Sequence, residues 1–538
     1  MKTGNISTGA ELLEFISSQP TDHPAISFYG PQGPRRLSYG VVRSLTLNAM
    51  CALDAIRGEG GGPVAFRHSL RIGLLLRNRP EIPAIVVACL ARGDTLIPLN
   101  PDSHPIELQF IVADADLDLI VTDDSCSAAL DEMQRLPRRV SIERLVCEPG
   151  IGGSHATSSN EHQPALILYT SGTTSRPKGV MLSGTSVLTN ASWIASHFSL
   201  DRSTQLTTLP LYHAHAFQFG MLSSLVTGGH LVILHRFDTE AWPRVIRAER
   251  VSWTSIVPGL LPSLVYCDVD QRSCPHLQGI LISSAPLNEV LAARFEQQSG
   301  IPLIQGWGQT EYTCWATVCD PRRSKRQCDG TLRSVGTALP GAEIRVITSD
   351  GSEASEGQTG ELVLSGVCTM LGYYKRPDLT GATLTGNQLR TGDEGYFKSI
   401  DGQVCYFVTG RIKEMINRGG EKVSPLAIEE YIYSAFPDSV GHIAVLGYEH
   451  FLTGEEIGLY IHQRVFDNEK CPKVRFLELI QTMHSAYRPR VVIISGEPIP
   501  KTFTGKTQRG KLKDYFKEYY KTNRQFLLVE TTQTRTAP

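Results

Sequence analysis

Between residues 72 and 122 the chain alternates short, continuously apolar runs with longer apolar-rich stretches bounded by Pro and Gly. Continuous apolar runs of strand length read as strands buried on both faces. The pattern predicts strands at 72–76, 95–99 and 117–122, with helices at 80–91 and 105–115 between them. Strand–helix–strand spacing of this kind implies parallel pairing through right-handed crossovers. Residues 149–164 are rich in Gly, Ser, His and Pro and read as a surface loop, after which Ala165-Leu166-Ile167-Leu168 forms the next buried strand. The alternation continues with strands at 205–211, 230–234, 252–257 and 278–283 and helices at 221–226 and 289–298.

After Thr331 the texture changes to short strands with Gly, Pro and Asp turns, at 343–347, 360–364 and 403–407. That pattern predicts an antiparallel, barrel-like module. From about Lys413 helices and strands mix again, with a helix at 425–434 and strands at 442–446 and 457–461. The expected fold class is therefore α/β: a large N-terminal domain of parallel α/β sheets plus a β-barrel-like module, then a small α+β C-terminal domain. A chain of 538 residues is too long for one core and should divide in this way.

Composition narrows the function. The net charge of −2 excludes a general nucleic-acid or anionic-membrane binder. Twelve scattered cysteines with no C-x-x-C pair indicate neither a zinc site nor a disulfide framework, so a reduced, cytoplasmic setting is expected. No secretory signal is visible at Met1-Lys2-Thr3-Gly4, and no membrane span is expected, since the apolar stretch 82–90 is too short and contains Pro83.

The chemistry-bearing stretch follows the Ala165–Leu168 strand: Thr170-Ser171-Gly172-Thr173-Thr174-Ser175-Arg176-Pro177-Lys178-Gly179. Hydroxyls, backbone N–H groups bared by glycine and one lysine suit a polyphosphate, whose anionic oxygens want many short donors and a positive charge. The same residue types also make an ordinary polar turn. The stretch is not G-x-x-x-x-G-K-[ST], and neither is Thr504-Gly505-Lys506-Thr507, because Pro500 stands where the first glycine should be.

The order of these residues resembles the phosphate loop of the AMP-forming adenylating enzymes, which include acyl- and aryl-CoA synthetases, peptide-synthetase adenylation domains and luciferase-type enzymes. It departs from their pattern at Ser175, where glycine is usual. Further stretches match the same family in order, across roughly residues 8–519. Leu209-Pro210-Leu211-Tyr212-His213 resembles the segment lining the acyl pocket, with His213 as a gate or orienter of the carboxylate. Ser284-Ala285-Pro286-Leu287 resembles the border of the adenine site, with Ser283 where glycine is usual. In Gln305-Gly306-Trp307-Gly308-Gln309-Thr310-Glu311 the resemblance implies that Trp307 stacks on adenine between Gly306 and Gly308, beside Gln309. Thr310 would bond the α-phosphate, and Glu311, with Thr174 of the loop, would hold Mg²⁺. Arg390-Thr391-Gly392-Asp393, which by itself reads as a turn, resembles the ribose motif, Asp393 accepting from both ribose hydroxyls.

The resemblance also implies a moving second domain. Arg411 would reach ribose or phosphates and Lys413 would be the pivot, giving an adenylation domain at 1–409, a hinge at 410–413 and a mobile domain at 414–538. Gly419, Gly420 and Glu421 would line a thiol tunnel, and Lys506, in Pro500-Lys501-Thr502-Phe503-Thr504-Gly505-Lys506, would bridge the substrate carboxylate and the α-phosphate. The implied reaction uses ATP and Mg²⁺ to convert a carboxylic acid into an acyl-adenylate, then passes the acyl group to CoA or to a phosphopantetheinyl acyl carrier protein. His215 stands where amino-acid activators carry an aspartate for the α-ammonium, and the next carboxylate is Asp238, which disfavours an α-amino acid. Phe217, Phe219 and Trp253 are the other acyl-pocket candidates and suit an acyl or aryl chain, or are plain core. An amino-acid adenylation protein and a catalytically silent homologue remain the alternatives.

Overall fold

The computed structural model describes residues 6–58, 69–131, 133, 137–146, 163–170, 177–322, 328–330, 332–467, 469–502, 505–522, 524 and 526–531. The expected alternation is present as two large sheets. One runs, in spatial order, Gly372–Tyr373, Lys178–Ser183, Pro164–Thr170, Thr95–Leu99, Arg71–Leu75, Leu119–Thr122 and Arg138–Ser141. Its Thr95–Leu99, Arg71–Leu75, Leu119–Thr122 and Arg138–Ser141 strands pair in parallel, while Pro164–Thr170 and Lys178–Ser183 form an antiparallel pair opposing Thr170 to Lys178. The two ends of the predicted phosphate stretch are thereby clamped together. Residues 171–176, and with them Ser171, Gly172, Thr173 and Thr174, lie outside the described residues.

The second sheet has Leu303–Trp307, Gly279–Ile282, Trp253–Ile256, Thr204–Thr207, His230–Leu234 and Pro24–Gly30 parallel and adjacent. The strand expected to run to 211 ends at Thr207, because the chain turns at Pro210 toward His213. The helix Ile82–Arg92 is buried at every position, as a segment apolar all round must be, and stops at Gly93, whose φ of 69° lets the chain reverse. A large apolar core joins this helix to the inner faces of both sheets.

The expected antiparallel module consists of Glu343–Ile347, Gly360–Ser365, Gln388–Ile400 and Gln403–Arg411. Thr391-Gly392-Asp393 lies within the Gln388–Ile400 strand and not in a turn between elements. The register shifts opposite Leu362, and Gly392 takes a φ of 70°, so this is a bulge that re-aims Asp393. The C-terminal part has its own sheet of Glu421–Val423, Ile416–Arg418, Gly454–His462, Val491–Ser495 and Leu527–Thr531, with Ile443–His450 paired to Gly454–His462, and its own apolar clusters. No helix among the described residues is long and apolar enough to cross a membrane, and none of the described cysteines is in a disulfide.

Candidate active site

Parallel strands present their carboxyl ends to a common crevice, where ligands of open α/β sheets bind. Here the Leu303–Trp307 strand delivers Trp307 and, after Gly308 and Gln309, the short turn Thr310–Tyr312. Gly308 is required by packing within the protein: a Cβ there would lie 2.0 Å from the Cys314 carbonyl oxygen. Gly306 likewise lies against Trp315, 3.2 Å from where its Cβ would stand.

Two polar constellations converge on this turn. In the first, Lys178 Nζ donates to Glu311 Oε1 at 3.1 Å and to the Tyr373 hydroxyl at 2.6 Å, and that hydroxyl donates to Glu311 at 2.8 Å. The Lys178 ammonium also sits 4.0 Å from the centre of the Tyr373 ring. Burial pushes the Glu311 carboxyl up, but the Lys178 charge and the Tyr373 hydroxyl outweigh it and hold the group below its usual value. Glu311 is therefore ionised, with oxygen donors of the kind Mg²⁺ takes. Tyr373 was not among the expected site residues. Its signal was an aromatic directly after Gly372 on a two-residue edge strand, too short to mark a site.

In the second, the Trp307 indole N–H donates to Asp393 Oδ2 at 2.9 Å, and Arg411 Nε holds Asp393 Oδ1 at 2.7 Å. Asp393 and Arg411 are direct cross-strand partners. Each carboxylate oxygen keeps a further lone pair for a ribose hydroxyl. The aromatic residue expected at adenine and the carboxylate expected at ribose are thus linked to each other.

Lys506 enters from the C-terminal part. It lies on a loop closed by the Thr502 N–H to Lys506 carbonyl bond of 2.8 Å, and the loop touches the large domain where Gly505 meets Gly259, 3.4 Å from a Cβ at 505 to the Gly259 Cα. The ammonium feels the charges of Arg411, Asp393, Glu311 and Glu414, and desolvation followed by Arg411 lowers its pKa although one flank stays exposed. Charges on distant segments, at Glu311, Asp393 and Arg411, therefore act on Lys506. Thr310 starts the same turn, and Thr170 Oγ1 is buried without a partner among the described residues.

The acid side is built differently. His213 caps a turn of helix, bonded by its carbonyl to the Phe217 N–H at 2.9 Å, and burial pushes its ring down to about 4. His215 is pushed down to about 3 by burial, with His213 adding to the shift, so both imidazoles are neutral. His215 Nδ1 meets Ser284 Oγ at 3.2 Å, and its ring stands edge-on to Trp315 at 4.9 Å. Ser284 has a φ of 79°, a left-handed conformation uncommon for a residue with a Cβ, and leads directly into Ala285. The Trp315 N–H donates to Ser283 at 3.1 Å. Phe217, Phe219 and Trp253 are all fully buried in the core.

The remaining expected residues stand apart. Lys413 is exposed in the turn Ile412–Glu414. Gly419, at φ 61°, and Gly420, at φ 94°, form a two-residue hairpin turn whose Gly419 N–H donates to Thr453 of the same small domain. Both glycines and Glu421 are exposed, and open space lies where a Cβ would go at either glycine.

The sequence profile of the AMP-binding enzymes matches residues 13–374. The chain belongs to the AMP-binding enzyme family. Among its relatives is a sulfoacetate–CoA ligase of Cupriavidus necator, 28% identical over 497 residues, covering 90% of this chain and 94% of that one. An indoleacetate–CoA ligase of Aromatoleum aromaticum is 28% identical over 491 residues, covering 88% and 92%. The fold matches that of ATP-bound MatB from Rhodopseudomonas palustris with a TM-score of 0.80 at 22% identity, covering 96% of this chain and all of the other. This family member is a two-domain α/β adenylating-type enzyme, and the constellations at Glu311 and Asp393 lie at the carboxyl end of its Leu303–Trp307 strand.

Proposed function

We propose that the chain is an AMP-forming acid–CoA ligase whose nucleotide site is the Glu311–Lys178–Tyr373 and Trp307–Asp393–Arg411 pair of constellations. The observation that carries this is the contact of the Lys506 loop with Gly259, at Gly505, which brings the lysine within electrostatic reach of Asp393, Arg411 and Glu311. In the first step a carboxylate oxygen attacks the α-phosphorus of ATP, the bond to the bridging oxygen breaks, and pyrophosphate leaves. Two anions must approach each other, so the barrier is mainly electrostatic, and fixed cations aimed at the reacting oxygens lower it. Lys506, which has no ion pair with a carboxylate among the described residues, bridges the carboxylate and the α-phosphate, while Thr310 donates to the latter. Asp393 accepts from the ribose, and Arg411 keeps its carboxylate aimed. Glu311 would hold Mg²⁺, which would supply neutralisation of phosphate charge there.

In the second step a thiolate attacks the acyl carbonyl carbon and AMP leaves. The small domain moves between the steps, withdrawing Lys506 and bringing Gly419, Gly420 and Glu421 to the thiol. The bond pattern supports a pivot at Lys413 in the 410–413 hinge: Arg411 is tied to Asp393 of the large domain, whereas Glu414 is tied to Arg509 of the small one at 3.0 Å. Lys413 between them has an exposed side chain. Names of the relatives support CoA as the thiol. ATP–pyrophosphate exchange over a panel of acids, then thioester formation with CoA and with a carrier protein, tests the proposal. Exchange with non-amino acids and a CoA thioester are expected; exchange with α-amino acids alone, or transfer to a carrier only, would refute it.

A further inference from the structure

The proposed acid site lies between the second sheet and the helical segment after His213, and its composition is unlike an acyl slot. The aromatic side chains there are occupied with one another. Phe198 takes the edges of both Phe219, at 5.6 Å between ring centres, and Trp253, at 4.8 Å, and Phe219 also meets Trp315 at 6.1 Å. Rings locked in edge-to-face contact at these distances close off depth that a long or aryl chain would need.

What remains is polar. His215 and Gln218 are three apart on one helical turn and so share a face. His215 Nε2 has no hydrogen-bond partner among the described residues, and Gln218, 1% exposed, has none for either end of its amide. The sheet opposite repeats this. Ser255 pairs with Thr207 in register and Trp253 with Gln205, so these four side chains point to one face. That face is the one covered by the segment, because the Thr207 Cβ lies 3.2 Å from where a Cβ of Gly220 would be. Ser255 Oγ and Gln205 Nε2 are also buried and unpartnered among the described residues. Buried polar atoms are nearly always paired, and a cluster of unpaired ones beside the proposed carboxylate gate is a set of ligand contacts.

We infer that the acid is short and carries an uncharged hydrogen-bonding group, a hydroxyl, keto or amide function, bound by His215 and Gln218. The inference rests on the acid-activating reading above. An anionic second group is disfavoured because, among the described residues, the one titratable group acting on His215 is His213, itself neutral, and a buried charge with no cation beside it is costly. Gln218 offers both a donor and an acceptor, which suits groups that need either.

The test is pyrophosphate release with ATP and Mg²⁺ over matched short acids: hydroxy, keto and amide acids, their unsubstituted analogues, dicarboxylates and sulfonates, and longer alkyl and aryl acids. The polar, uncharged acids are expected to lead in kcat/KM by about 100-fold over their unsubstituted analogues, as a site built to hydrogen-bond rejects a ligand lacking the group. Gln218→Leu and, separately, His215→Phe are expected to collapse that ratio at least about tenfold while KM for ATP stays put, a split that mere loss of packing does not produce. A lead for alkyl, aryl, dicarboxylic or sulfonic acids overturns the inference and leaves acid activation standing. An unchanged ratio in both variants overturns it too. Release with no acid at all refutes the acid-activating reading itself, and this inference with it.

Discussion

Tyr373→Phe removes one oxygen and little else, because the ring stays buried and isosteric. That oxygen is shared: it accepts from Lys178 at 2.6 Å and donates to Glu311 at 2.8 Å. A hydrogen bond to a charged group contributes about 1.5–3 kcal/mol. Lys178 and Glu311 remain bonded to each other at 3.1 Å and Lys178 keeps some solvent, so the loss should fall near the lower end. About 1.5 kcal/mol corresponds to about tenfold in rate. The proposed roles confine this to adenylation: kcat/KM for ATP in pyrophosphate exchange falls about tenfold, while transfer from preformed acyl-adenylate to CoA is unchanged. Glu311 also loses a group that lowers its pKa, so the acid limb of the exchange profile moves to higher pH. Its ionised form is the useful one, and activity then fails earlier as pH falls. The reasoning is refuted if both half-reactions slow equally, or if exchange is untouched.

Other expectations concern the domain contact and the fold. Glu430, on the helix Pro425–Ala435, is pushed up to about 8 by burial against the large domain and then by Glu289 and Glu429, partly offset by the Glu289 backbone N–H. Arg333 is engaged by Glu289 and Glu296, and Arg509 by Glu414 and Glu429, so neither neutralises it. Because its docked pKa exceeds the free value, docking is favoured fully below the ordinary carboxylate range and loses that support as pH rises through about 8. Interdomain energy transfer should therefore fall as pH rises from the ~4.3 free value to the docked value of about 8 in the wild type, and stay flat in Glu430→Gln. Gly308→Ala, with its Cβ 2.0 Å from the Cys314 carbonyl oxygen, should cost at least about 1–3 kcal/mol and lower the thermal midpoint. Gly381→Ala, in a helix with nothing within 4 Å, should be neutral or raise it slightly, by less than about 1 kcal/mol; the same sign for both would contradict the packing account.

Much of this was legible in the residues, for identifiable reasons. Buried parallel strands are continuous apolar runs, so Thr95–Leu99 and His230–Leu234 fall where the pattern places them. Glycine and hydroxyl clusters marked Lys178, Trp307 and Asp393 as chemistry-bearing. The misses share a cause: they depend on partners far along the chain. Tyr373 acquires meaning only from Glu311, 62 positions away, and the bulge at Gly392 only from the neighbouring strand Gly360–Ser365, against which the register shifts. Apolar pattern identified Phe219 and Trp253 as inward-facing, but whether they face a ligand or Phe198 is decided by packing between elements. Gln218 is ambiguous for the same reason, since a glutamine on a short helix reads as surface until the sheet covers it.

The most direct test of the account is Lys506→Ala measured on the two half-reactions separately. A lysine presented by the small domain only for the first step predicts pyrophosphate release reduced by about 10²–10³-fold, the usual cost of removing a group that stabilises transition-state charge. CoA thioester formation from supplied acyl-adenylate should remain within about twofold of wild type, well inside the effect of a single hydrogen bond. Equal loss in both steps, or undiminished pyrophosphate release, would contradict it.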